Sequence, residues 1–129
     1  AYRRRAGFAN RTTTTVPTWK GKMIGWLQAF LFTQLVEVPI YTRTLGCSIP
    51  VALGASALTH PVVWFGFFGL PWDAPYTEKL LMAESFAWLV EALYFGRRSG
   101  LGAALWWSLI ANGTSLAAGL LSRTLFGVP

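Results

Sequence analysis

Apolar residues are concentrated in four blocks along the chain, separated by short polar stretches. Each block is about twenty residues long, which is the length a helix needs to cross the hydrocarbon core of a bilayer. The pattern predicts an all-α, polytopic membrane protein with four transmembrane helices in a bundle. The expected spans are about residues 23–41, 49–70, 78–95 and 101–121, within a transmembrane domain of residues 23–126 that follows a basic tail, residues 1–22.

The third block carries acidic side chains inside its apolar run. Glu84 and Glu91 stand seven positions apart, and at about 100° per residue this spacing places both carboxyls on one helix face. An ionised carboxylate in the middle of a membrane helix costs about 2.5–3.5 kcal/mol on insertion scales. We therefore expect both groups to be neutral, or to face a protein interior, a partner subunit or a water-filled cavity.

Polar groups also interrupt the first two blocks. Glu37 lies four positions before Tyr41, so the two share a face of the first predicted helix. His60 lies at the centre of the second block and is followed by Pro61. Proline cannot donate a backbone hydrogen bond to the carbonyl four residues back, which predicts a kink or a free carbonyl at this point.

The depths of these polar groups in the four blocks are similar enough for them to meet in a common interior. We expect a polar seam formed by Glu37, His60, Glu84, Glu91 and Asn112. The fourth block also carries a stripe of small residues, which lets neighbouring helix backbones approach closely. The predicted packing stripe consists of Ala104, Ser108, Ala111, Ser115 and Gly119.

Composition agrees with the membrane assignment. The chain is 53% hydrophobic and only 12% charged, with a mean hydropathy of +0.43, whereas soluble domains carry about 25% charged residues. The single cysteine, Cys47, excludes an intrachain disulfide and any multi-cysteine metal site. Dinucleotide-binding, phosphate-loop, HExxH and CxxC motifs are absent from the sequence. We therefore expect no enzymatic activity of the soluble type and assign no metal site.

The formal net charge of +6 is unevenly distributed. A basic cluster beside a first membrane helix is typical of contact with anionic lipid headgroups or a partner, and we do not expect nucleic acid binding. The tail and the ends of the predicted helices on the same side hold eight basic residues against three on the other side. This asymmetry predicts a bacterial inner-membrane protein with both termini cytoplasmic. The predicted contact residues of the tail are Arg3, Arg4, Arg5, Arg11, Lys20 and Lys22.

Three functions are compatible with such a seam. The first is a non-catalytic accessory or assembly subunit of a larger membrane complex, with other membrane subunits or further copies of itself as partners. Its carboxyls would then hold helices together by bonding to His60, Asn112 or Tyr41. The second is a component of a proton or cation pathway that uses Glu84, Glu91 and His60.

The third function is a metal- or pigment-binding membrane subunit with His60 as the ligand. Ser56, His60 and Trp64 stand four apart. This spacing resembles the small–His–aromatic pattern of bacterial antenna polypeptides, whose histidine ligates bacteriochlorophyll. Apart from lipid, no cofactor follows from the residues alone.

Several short motifs together resemble a set of small four-span bacterial inner-membrane proteins. The similarity covers about residues 30–120 and leaves the basic tail outside. It implies a four-helix fold and an inner-membrane location, and it carries no assigned activity. The motifs are Glu37-Val-Pro, Thr59-His60-Pro61-Val-Val-Trp64, Glu84 with Glu91-Ala-Leu-Tyr94, and Ser108-x-x-x-Asn112-x-x-Ser115.

Overall fold

Residues 19–127 are described by a computed structural model of the chain. Within this range the secondary structure is entirely helical, which confirms the predicted class. Helix α1 covers Trp19–Thr44 and α2 covers Ile49–Pro61, continuing as a π-helical segment, Val62–Phe67. Helix α3 covers Tyr76–Ser99 and α4 covers Leu101–Phe126.

Within the described residues, three helical stretches are long and apolar enough to cross a membrane. They are Trp19–Thr44, Ile49–Phe67 and Leu101–Phe126. Helix α3 is 24 residues long, but its hydropathy is lowered by charged residues at both of its ends and by two glutamates within it. These findings are compatible with a membrane protein.

Consecutive helices run antiparallel and form a closed four-helix ring. Each helix packs against two neighbours, in the pairs α1–α2, α2–α3, α3–α4 and α4–α1. The start of α1, the end of the π-helical segment, the start of α3 and the end of α4 meet at one end of the bundle, where Lys22, Phe68, Tyr76 and Arg123 line one cavity. We call this end the Lys22–Arg123 end.

The bundle interior combines small residues with two aromatic rings. Ala52, Ala55, Ala104 and Ala111 are fully buried, and their size lets the helices approach closely. Tyr41 and Phe95 fill the space between them, with ring centroids 4.5 Å apart. Many of the outward-facing positions are large apolar residues, including leucines on all four helices, as expected for a lipid-facing surface.

The helical pattern changes immediately after Pro61. The Val62 N–H bonds to the Thr59 carbonyl, and the Phe68 N–H bonds to the Val63 carbonyl, five residues back, at 3.3 Å. Proline lacks the N–H that would continue the α-helical hydrogen-bond pattern, and the chain continues beyond it as a π-helical segment. The second predicted span, residues 49–70, is therefore an α-helix followed by a π-helical segment that ends at Phe67.

The predicted tail contacts fall in two groups. Lys20 and Lys22 are exposed in the first turn of α1. Arg3, Arg4, Arg5 and Arg11 lie outside the described residues.

Candidate functional site

Glu37 on α1 is bonded to two other helices. Its side chain is only 1% exposed. The Ser56 hydroxyl of α2 donates to Glu37 Oε2 at 2.5 Å, and the Ser115 hydroxyl of α4 donates to Glu37 Oε1 at 2.8 Å. Both carboxyl oxygens thus accept a hydrogen bond from a neighbouring helix.

Glu91 on α3 is bonded to all three other helices and is also 1% exposed. The Tyr41 hydroxyl of α1 donates to Glu91 Oε2 at 2.5 Å, and Asn112 Nδ2 of α4 donates to the same oxygen at 2.8 Å. The Thr59 hydroxyl of α2 donates to Glu91 Oε1 at 2.9 Å. Because each bond joins α3 to a different helix, Glu91 links all four helices of the bundle.

We call this network the carboxylate cluster. It contains two carboxyls and five donor side chains, and every helix contributes at least one member. Its members are Glu37, Tyr41, Ser56, Thr59, Glu91, Asn112 and Ser115.

A cavity of about 70 Å³ adjoins the carboxylate cluster. We call it the inner cavity. It has room for ordered water, which needs about 10–15 Å³ and two to four polar partners. Among the described residues, its lining includes no lysine or arginine. All five predicted seam residues line it: Glu37, His60, Glu84, Glu91 and Asn112.

Glu84 differs from the other two glutamates. It is half-buried, and within residues 19–127 its carboxyl makes no hydrogen bond to another side chain. Besides the inner cavity, it lines an adjacent cavity of about 180 Å³ that also reaches Arg123 and Tyr76. Glu84 therefore lies between the cluster and the Lys22–Arg123 end without tying helices together.

His60 lines the inner cavity but does not bond to a carboxyl. Its ring packs edge-on against Phe30 and Trp26, with centroids 5.3 and 6.3 Å away. Within the described residues, its buried Nδ1 has no hydrogen-bond partner. Of the partners expected for the carboxyls, Tyr41 and Asn112 are used and His60 is not.

The predicted packing stripe of α4 faces the bundle along most of its length. Ala104, Ser108 and Ala111 are fully buried. Ser115 is half-buried and bonds to Glu37, so it belongs to the carboxylate cluster as well as to the stripe. A Cβ on Gly119 would lie 3.8 Å from the Phe32 ring of α1, so this end of the stripe packs closely.

Sequence reasoning did not assign Thr59, Ser56 or Ser115 as partners of the carboxyls. The available signal was their spacing. Ser56 and Thr59 stand three apart on α2, and Ser115 stands three positions after Asn112 on α4, so each pair shares a helix face. Pairs of polar residues at this spacing in an apolar run indicate a face turned away from lipid.

Other proteins give no guide to the chemistry of this cluster. Comparisons with protein-family models, with curated proteins and with solved structures found no match. In the part of the chain that the structure describes, no group of three or more His, Cys, Asp or Glu side chains is placed to hold a metal ion.

Proposed function

We propose that all four helices cross a bacterial inner membrane, with α3 as the fourth span. The 24 residues of α3 correspond to about 36 Å at 1.5 Å per residue, enough for a hydrocarbon core of about 30 Å. Its buried glutamate faces the bundle, while Leu81, Met82, Leu89 and Leu93 form an exposed apolar surface. The excess of basic residues in the tail and at the Lys22–Arg123 end supports cytoplasmic termini.

Within that membrane bundle, we propose that Glu84 and the carboxylate cluster take up and release a proton, as part of a proton pathway. The observation that carries this proposal is the convergence of three glutamates on one small cavity whose described lining offers no lysine or arginine to balance them. His60 also lines it, but bonds to none of the carboxyls. Three uncompensated negative charges in a membrane interior would each cost several kcal/mol. The three glutamates must therefore hold protons or a cation between them.

A proton fits this site better than a metal ion. The oxygens of Glu37 and Glu91 already accept five hydrogen bonds from neighbouring side chains, which leaves few lone pairs for coordination. Cations arriving from the Lys22–Arg123 end would also meet two positive side chains. Protons can instead travel along ordered water and hydrogen-bonded side chains.

Glu84 offers the sharpest test, because its carboxyl does not hold helices together. In vesicles containing the purified protein and a pH-sensitive dye, we expect Glu84→Gln to reduce proton flux about tenfold or more, since a carboxamide cannot exchange a proton at this site. Thermal stability should change little. Glu78→Gln is the matched control, because Glu78 is exposed in the first turn of α3. Flux in Glu84→Gln equal to that of the unmodified protein, or no flux above protein-free vesicles, would refute the proposal.

A second candidate, the accessory subunit of a larger membrane complex, is favoured by Gln34. This residue is only 7% exposed, and neither polar atom of its amide has a partner within residues 19–127. It lines a groove of about 440 Å³ on the outer face of α1 and α2, together with Leu31, Leu35, Val38 and Leu53. An unpaired amide in an apolar environment is costly. A partner transmembrane helix carrying a hydrogen-bonding side chain would satisfy it.

The accessory-subunit function predicts that the Gln34 amide binds a transmembrane helix of the partner subunit. We expect Gln34→Leu to lower co-purification of a membrane partner about fivefold or more, because such interhelical bonds contribute about 1–2 kcal/mol in model peptides. Gln28→Leu is the control, since Gln28 lies exposed on the same helix. Undiminished co-purification after Gln34→Leu would rule this surface out, and recovery of a homodimer alone would assign the groove to self-association.

A further inference from the structure

A larger cavity lies at the Lys22–Arg123 end of the bundle, and the proton pathway does not require it. Its volume is about 520 Å³, within the range of about 300–1,000 Å³ that is typical of small-molecule sites. We call it the end cavity. Its walls come from all four helices and include Ala29, Val63, Trp64, Phe65, Phe68 and Leu80.

The π-helical segment and the connection after it shape one wall of the end cavity. Val63, Trp64 and Phe65 lie within that segment, and Phe68 and Gly69 follow it directly. Gly69 has no room for a side chain, because a Cβ there would lie 2.4 Å from the Phe65 carbonyl oxygen. The break in α2 after Pro61 thus turns three aromatic rings toward one space.

The rim of the end cavity is positively charged. Lys22 is in the first turn of α1 and Arg123 is in the last turn of α4. Both are exposed and line the cavity, together with Tyr76. None of the described residues in the lining is an Asp or Glu. An anionic group at this rim would therefore meet two cations and no carboxyl within the end cavity itself, while Glu84 lies in the adjacent cavity that Tyr76 and Arg123 also line.

Two nearby lysines are placed differently. Lys20 lies over the Trp19 ring, with Nζ 5.8 Å from the ring centroid, and Lys79 lies over the Trp72 ring at 5.4 Å. Neither lines the end cavity. The positive rim is thus a specific feature of Lys22 and Arg123, and Lys20 serves as a matched control.

We propose that the end cavity binds a membrane lipid with one apolar chain and a phosphate headgroup. The phosphate lies at the rim with Lys22 and Arg123, and the chain lies against Trp64, Phe65 and Phe68. A phosphate monoester carries close to two negative charges near neutral pH, which matches the two cations. Because the rim lies at the end of the bundle, this arrangement puts the headgroup level with the membrane surface and the chain level with the hydrocarbon.

The binding test uses the full-length chain in a neutral detergent. Lysophosphatidic acid with a brominated chain is titrated in while tryptophan fluorescence is recorded, since bromine next to Trp64 quenches its emission. We expect saturable quenching, with Kd raised about tenfold by Lys22→Gln and by Arg123→Gln, because each removes a charge-assisted contact. Lys20→Gln should leave Kd within about twofold, as expected for an exposed charge outside the site.

Two further ligands identify the source of the phosphate and the role of the chain. Brominated lysophosphatidylcholine, whose headgroup has no net charge, should bind at least about tenfold more weakly. Inorganic phosphate should not displace the bound lipid at equal concentration. Equal binding of the two lipids, unchanged Kd in Arg123→Gln, or displacement by inorganic phosphate would each overturn the proposal. Ala29→Phe provides an independent test: it fills the apolar wall and should abolish the saturable part of the quenching in protein that still elutes as a folded species.

Discussion

Tyr41 provides the link between α1 and the buried carboxyl of α3. Its hydroxyl donates to Glu91, while its ring packs against Phe95. Tyr41→Phe removes the donor and preserves the ring. We expect a loss of about 1 kcal/mol in the free energy of unfolding, since single interhelical hydrogen bonds in membranes contribute about 0.6–2 kcal/mol. Titration with SDS in mixed micelles measures this change in the free energy of unfolding.

Tyr94 supplies the comparison for this prediction. It is also on the bundle and contacts Phe95, but it is 39% exposed, and within the described residues its hydroxyl makes no hydrogen bond. Tyr94→Phe should therefore leave the free energy of unfolding nearly unchanged. Equal losses in the two variants would mean that the Tyr41 hydroxyl contributes nothing specific.

At the residue scale, the sequence could predict the carboxyl and amide members of the cluster better than its serine and threonine donors. Glu37, Glu91 and Asn112 stand out because charged or amide groups are costly within an apolar run. Thr59 does not, because a threonine in a helix can bond to its own backbone. Its hydroxyl lies 3.4 Å from the Ser56 carbonyl oxygen as well as 2.9 Å from Glu91. Only the rotation and packing of the helices decide which partner it meets.

At the element scale, the connection between α3 and α4 depends on one glycine. Gly100 is the sole residue between the two helices and has φ +79°, a conformation that residues with a Cβ adopt at a cost of about 1 kcal/mol or more. Gly100→Ala should lower the free energy of unfolding by about this amount. The same SDS titration measures it.

Gly113 is the internal reference for that substitution. It lies within α4 without a positive φ, and a Cβ there would meet no other atom within 4 Å. Gly113→Ala should stabilise the helix by about 0.5–1 kcal/mol. If Gly100→Ala were equally stabilising, the turn would not require a positive φ.

The number and order of the helices followed from the apolar blocks, but their ends did not. The first predicted span, residues 23–41, corresponds to the longer helix Trp19–Thr44. Hydropathy identifies the segment suited to hydrocarbon, whereas backbone hydrogen bonding continues into the polar flanks. Pro61 indicated a disturbance in α2, but proline alone does not specify a π-helical segment. The observed form depends on how Val62–Phe67 packs against its neighbours.

On the scale of the whole molecule, charge and cavities divide the bundle into two different ends. The Lys22–Arg123 end contains the end cavity, from which His60 and Val63 lead to the inner cavity, since both residues line both spaces. The other end contains Arg43 and Arg98, in the last turns of α1 and α3, and the connection that carries Cys47. The uneven distribution of basic residues along the sequence could predict that the two ends of the bundle differ. The cavities arise from the packing of four helices and have no sequence pattern of their own.

The single cysteine allows the proposed orientation to be measured. Cys47 lies between α1 and α2, at the end of the bundle opposite to Lys22 and Arg123. With both termini cytoplasmic, this loop faces the periplasm. We expect a membrane-impermeant maleimide to label Cys47 in intact spheroplasts. For comparison, Cys47→Ser combined with Thr77→Cys moves the thiol to the start of α3, where labelling should require opened membranes.

The pH dependence of this labelling follows from the surroundings of the thiol. Burial raises the pKa of Cys47, an effect that a backbone hydrogen bond and the nearby Arg98 only partly offset. Because the thiolate is the reactive form, a raised pKa leaves less of it at neutral pH. Labelling of Cys47 should therefore be slow at neutral pH and accelerate as the medium becomes alkaline. Labelling confined to opened membranes at every pH would reverse the orientation and put the end cavity on the periplasmic side.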